Sequence, residues 1–241
     1  MKFLIQTIDG QIKHDFSFTL LESINFQNWL HNDTMSYSLI PIEELDNMSG
    51  PWKSIPIGSV EFVAKFLENC YGLTPMPKNI PVELMTQRNL YRKVINGTEK
   101  DILGEKFVKS NDKIKSFTEI CSEAPPGNYQ ISDVIEIASE WRAFVYNRKL
   151  VGLQNYSGDF TMFPSVNAIN GMIEDYSIFN PVAYTLDVGI MIPHEQTVVI
   201  EVHDFFSCGL YGFSDHNILP FMFSNWFHEF IKKENGKRMV G

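Results

Sequence analysis

The chain has 241 residues, 44% hydrophobic and 20% charged, which is enough to bury a core in one large domain or two to three small lobes and too apolar for a disordered chain. A formal net charge of −9 repels phosphate backbones at long range, so general nucleic-acid binding is disfavoured while a local basic cleft remains possible. Three scattered cysteines with no CxxC pair, an N-terminal apolar run too short for a signal peptide and no membrane-length stretch lead us to expect a cytoplasmic protein without disulfides, a zinc frame or a membrane partner.

The opening KFLIQTI predicts a strand, FSFTLLESINFQNWL a helix and SYSLIPI a second strand. In SIPIGSVEFVAKFLENCYG, Ser59 suits an N-cap and Glu61 the first turn. Val60, Val63, Phe66, Leu67 and Cys70 repeat at helical spacing, and Gly72 stops the run. Pro75, Pro77 and Pro81 form a rigid connector, and a lobe boundary is expected there. Beyond it strands dominate. GEKFVKS and FTEIC are short strands around a polar loop, and YQISDVIEIASEWRAFVYNRKLVGLQNYSG holds several more, with a hairpin tip at Asn147-Arg148. AYTLDVGIMI and TVVIEVHDF form a pair joined by a turn at Pro193 to Gln196, and NILPFMFSNWFHEFIKKE is a closing helix. This order predicts an α+β fold, with lobes at residues 1–80, 81–138 and 139–241.

The chemistry lies in charges placed on apolar strands. Alternation puts Glu140, Arg142 and Phe144 on one face of their strand and Trp141, Ala143 and Val145 on the other. Asp187 sits inside AYTLDVGIM, and Val199, Glu201 and His203 share a face of TVVIEVHDF. Either acid alone could pair with a surface base or face water on the wet side of a sheet. Two carboxylates on adjacent strands, with Arg142 and a lysine-rich strand upstream, point instead to a shared hard cation. Of the upstream lysines, Lys106 and Lys113 read as solvated, whereas Lys109 and Lys115 adjoin apolar residues and suit phosphate oxygens. There is no HExxH, Walker loop, GxGxxG or GxSxG elbow, and Cys208 reads as a packed or inert thiol.

The ordered set IPIGSVEFV, KFVKS with KSFT, EWRAFV, NYSGD, AYTLDVG and IEVHDFFSCGLYGF, over about residues 55–215, resembles the divergent ATP-grasp clade of bacteria and phages. That clade is related to a eukaryotic cell-division-cycle factor that assembles a translation initiation complex. The resemblance implies an ATP-grasp fold, two α+β lobes clasping ATP after a small α/β N-terminal lobe. It implies Lys109 and Lys115 on the phosphates, Lys115 in a closing loop, and Glu136 and Ile137 as a hinge whose backbone meets adenine. Glu140 would bind ribose, Arg142 would face the transferred phosphate or the substrate carboxylate, and Asp187 and Glu201 would hold Mg2+. The family pattern at the last position is Glu-x-Asn, and this chain has Glu201-Val202-His203. Magnesium prefers oxygen ligands. Four consequences stay open: His203 stands behind the metal, Asp204 replaces it, the site favours Mn2+, or catalysis is weakened. The function implied is an ATP-dependent carboxylate-amine ligase acting through an acyl phosphate on a small molecule, peptide or protein. An ATP-binding assembly factor and an ATP-dependent transferase are the rivals.

Overall fold

The computed structural model of the chain describes residues 1–76, 78–112, 116–178 and 180–240, with side chains to residue 236. It divides into two compact units, residues 1–75, 181–183 and 204–241 in the first and 76–180 and 184–203 in the second.

The first unit opens with β1 (Lys2–Thr7), α1 (Asp15–His31), β2 (Ser36–Pro41), β3 (Ser54–Ile57) and α2 (Val60–Tyr71). The strands pair parallel in the order β2-β1-β3. β1 is central, so every residue after Lys2 is buried, as expected of a strand covered on both faces. α2 begins where Ser59 accepts a hydrogen bond from the Phe62 backbone N–H, and Gly72 ends it in the left-handed region at φ 63°. Its buried stripe is Phe62, Val63, Phe66, Leu67 and Cys70, with Phe62 in the place the spacing gave to Val60.

The second unit carries α3 (Gln87–Leu90), β4 (Val94–Thr98), β5 (Lys106–Ser110), β6 (Thr118–Cys121), β7 (Asn128–Ser132), β8 (Ile137–Tyr146), β9 (Lys149–Gly158), α4 (Val166–Asp175), β10 (Ala183–Met191) and β11 (Gln196–Asp204). Two four-stranded sheets form, ordered β4-β7-β5-β6 and β11-β10-β8-β9. The β8–β9 hairpin turns at Asn147 and Arg148, whose positive φ values of 49° and 63° fit a turn matched to strand twist.

Trp141, Ala143 and Val145 of β8 pack with Leu186 and Val188 of β10 and with Ile169, Met172 and Ile173 of α4. Burying that face of β8 leaves Arg142 on the opposite one. The connector after α2 is more than a spacer. Asn79 accepts a hydrogen bond from Val202 N–H at 2.7 Å and its side chain reaches Ser110 O and Asn111, while Ile80 exchanges two hydrogen bonds with the Gln130 amide. One short segment thereby ties β5, β7 and β11 together.

The last helix, α5 (Leu219–Val240), belongs to the first unit. Among the described residues, no helix is long and apolar enough to cross a membrane.

Candidate active site

The charged residues picked out on the strands meet in the second unit. Arg142 on β8 grips Asp187 on β10 with a fork: Nε donates to Oδ1 at 2.8 Å and a terminal nitrogen to Oδ2 at 2.7 Å. Both side chains are buried, Asp187 at 2% exposure, so the pair is one unit in which each charge compensates the other's lost hydration. Lys109 on β5 donates to Glu201 Oε2 on β11 at 2.9 Å, joining one sheet to the other.

His203 completes the group. Its Nε2 lies 2.6 Å from Glu201 Oε1 and 3.5 Å from Asp187 Oδ2. The nitrogen is shielded from solvent and has these two carboxylate oxygens as its neighbours. One donor atom from each of Asp187, Glu201 and His203 lies within 4.8 Å of the others. Burial pulls the pKa of His203 down, but the two carboxylates more than reverse this and hold it above its ordinary value. Burial likewise raises Asp187, and Arg142 and His203 bring it below the usual carboxylate range. Two anionic oxygens and one solvent-shielded imidazole nitrogen, within 4.8 Å of one another, fit a divalent cation.

Glu140 faces a different partner. Tyr156 donates its hydroxyl to Glu140 Oε2 at 2.6 Å, and the Arg142 guanidinium lies 5.7 Å from the centre of the Tyr156 ring. Burial first, then the charges of Asp187 and Glu140, push the Tyr156 phenol well above its ordinary pKa, so it stays a donor. Glu136 lies in the link before β8, where its carbonyl accepts from Ile192 N–H at 3.1 Å. Ile137 begins β8 and lies against Gly189 of β10; a Cβ there would stand 2.9 Å from Ile137 Cγ2, which is why this strand position carries none. Lys115 falls outside the described residues.

The sequence reading gave no role to Gln130, Arg92 or Asn79. Arg92 donates to Ser132 Oγ on β7 and to Val199 O on β11, and burial lowers its pKa to about 10 despite the opposing influence of Asp133. A glutamine in the apolar strand NYQIS was the available clue to a buried polar anchor.

Comparison with known proteins identifies the family. The model of the ATP-grasp domain, R2K clade family 2, matches residues 86–220, more than half of the chain. The chain belongs to the ATP-grasp family. No curated protein matches it significantly. Among solved structures, it is similar to D-alanine–D-alanine ligase from Bacillus anthracis, at 12% identity over 97% of this chain and 99% of that one, TM-score 0.52. It is also similar to N5-carboxyaminoimidazole synthetase from Staphylococcus aureus, at 8% identity over 93% and 77%, TM-score 0.54. A third is the macrocyclase MdnC bound with precursor peptide MdnA from Microcystis aeruginosa MRC, at 12% identity over 92% and 99%, TM-score 0.50. Identities this low speak for the fold alone. The matched region of this α+β chain includes Lys109, Arg142, Asp187, Glu201 and His203.

Proposed function

We propose that this ATP-grasp chain binds ATP with a divalent cation in its second unit and activates a carboxylate as an acyl phosphate for attack by an amine. The observation that carries this reading is the constellation of buried Lys109, Arg142 and Asp187 with half-buried Glu201 and His203. Residues 81–138 and 139–241 supply, in this reading, the small and large lobes around the nucleotide.

Lys109 pairs with Glu201 and would transfer its charge to a phosphate oxygen when the nucleotide enters. Lys115 is assigned to the loop that closes over the phosphates. The Glu136–Ile137 backbone takes the adenine edge, and Glu140, held by Tyr156, takes the ribose hydroxyls. A cation on Asp187 and Glu201, magnesium in the family's usual case, would supply charge neutralisation at the transferred phosphoryl group. Arg142 holds Asp187 in place and turns its positive charge toward the incoming carboxylate.

One carboxylate oxygen of the substrate attacks the γ-phosphorus in line, and the bond to the bridging oxygen breaks to release ADP. The amine nitrogen then attacks the acyl carbon, inorganic phosphate leaves, and the nitrogen loses a proton to form the amide. Positioning in a water-poor site protects the acyl phosphate from hydrolysis. The carboxylate belongs to a small molecule, a peptide or a protein; the peptide-bound macrocyclase makes a peptide the first substrate to assay.

Thermal-shift titration with ATP, with and without Mg2+, on wild type, Lys109→Ala and Glu201→Ala tests the assignment. Loss of a charge-assisted hydrogen bond of about 1.5–3 kcal/mol should weaken nucleotide binding roughly 10- to 100-fold in Lys109→Ala. Equal shifts in all three proteins would reject it. A second reading, a nucleotide-dependent assembly factor, is favoured by the internal neutralisation of both carboxylates by Lys109 and Arg142. Tight ATP binding with no ADP released across a panel of carboxylates and amines would support it instead.

A further inference from the structure

We propose that His203 turns the cation position into a site selective for manganese-type divalent ions over magnesium. This inference rests on the reading above, that Asp187 and Glu201 hold a cation, and asks which cation these side chains prefer.

The donor set is the starting point. Asp187 Oδ2, Glu201 Oε1 and His203 Nε2 come from neighbouring strands β10 and β11, and His203 Nε2 is within 3.5 Å of both oxygens. Arg142 binds Asp187 as a fork, and Lys109 binds Glu201 through its other oxygen, Oε2. Each carboxylate is thereby held from one side by a cation, with an oxygen turned toward the imidazole. The three donor atoms lie within 4.8 Å of one another, with the imidazole nitrogen 2.6 Å from the Glu201 oxygen. A metal ion held by Asp187, Glu201 and His203 would take one nitrogen and two carboxylate oxygens from the protein.

The identity of the atoms then decides the ion. Mg2+ is small, binds oxygen at about 2.0–2.1 Å, holds its water tightly and gains little from imidazole. Mn2+ accepts carboxylate oxygen and imidazole nitrogen together. Ions further along the series bind nitrogen more tightly still, and Mn2+ is the weakest member, closest to magnesium in its tolerance of oxygen ligands. A mixed Asp-Glu-His set next to the phosphates of ATP therefore suits Mn2+ better than Mg2+.

Mn2+ binding can be read directly from the loss of the free-ion paramagnetic resonance signal, independently of turnover. Titrations of Mn2+, and of Mg2+ as competitor, into wild-type protein with ATP present should give at least about a tenfold preference for Mn2+, the scale on which ligand-sphere groups tune metal affinity. In His203→Asn and His203→Gln the preference should fall below about threefold, with Mg2+ binding retained. Thermal melting of each variant checks that it is folded, and the two amide lengths guard against one that packs badly. Equal affinity for the two ions in wild type, or a preference that survives both substitutions, overturns the inference while leaving ATP and Mg2+ binding intact. Absence of any binding by ATP or either ion overturns the underlying functional reading instead.

Discussion

The Arg142–Asp187 pair is the residue-level centre of the molecule. Both ions have left water, and the fork repays much of that cost because two parallel hydrogen bonds satisfy both oxygens at once. Removing one member leaves the other charged in a dry place. Asp187→Ala should therefore destabilise the protein by about 3–5 kcal/mol, read as a lower urea midpoint at unchanged slope. Replacing Lys109, whose partner Glu201 keeps 17% of its side chain in solvent, should cost much less stability while removing nucleotide affinity. A small stability change at both positions would mean that the pair is hydrated. Neutralisation also bears on Glu201, which is held by Lys109 and crowded by His203; ATP and a cation should therefore displace these contacts together.

At the scale of elements, β9 is the strand that aims the site. Its register against β8 passes from Glu140 opposite Ser157 to Trp141 opposite Asn155, so Tyr156 is an extra residue in a β-bulge. Asn155 braces the irregularity by donating to Ser139 Oγ, Glu140 O and Ser157 O. Gly158, with φ 74°, lets the strand end close against β8, where an added Cβ would stand 2.2 Å from Ala138 O. The bulge points the Tyr156 hydroxyl at Glu140 and its ring at Arg142. Tyr156→Phe keeps the ring and deletes a hydrogen bond to a charged group worth about 1.5–3 kcal/mol. If Glu140 takes the ribose, the KM for ATP should rise about tenfold with kcat within about twofold. An unchanged KM would reduce Tyr156 to a packing role.

Across the whole molecule, the first unit is discontinuous in sequence. Residues 1–75 are completed by 204–241, and α5 supplies Met222, Phe223, Trp226 and Phe227 to its buried interior. Phe227 lies 6.3 Å, centre to centre, from Phe66 of α2. A chain truncated just before Leu219 removes these large side chains, each worth about 3–5 kcal/mol when deleted singly. The truncated protein should lose cooperative melting and expose apolar surface, measured by dye binding and calorimetry. A sharp transition near the wild-type temperature would show that the first unit does not depend on α5.

Local features were legible in the sequence. Ser59 and Gly72 marked the ends of α2, Asn147 and Arg148 the tip of a hairpin, and strict alternation separated Trp141, Ala143 and Val145 from Arg142. These follow from backbone geometry and near neighbours, which a linear sequence contains in full. The presence of carboxylates at Asp187 and Glu201 on apolar strands was equally plain, because burying a charge demands a partner. Which partner each acid takes was not. Arg142 and Asp187 are 45 positions apart, and Lys109 and Glu201 are 92 apart. A bulge at Tyr156 and a strap at Asn79, neither written in a local pattern, set the register that brings side chains within bonding distance. Composition and periodicity determined what kind of site this chain could build; the closing of sheet upon sheet decided which atoms meet there, since hydrogen bonds and coordination depend on separations of a few tenths of an ångström that no pairwise spacing along the chain encodes.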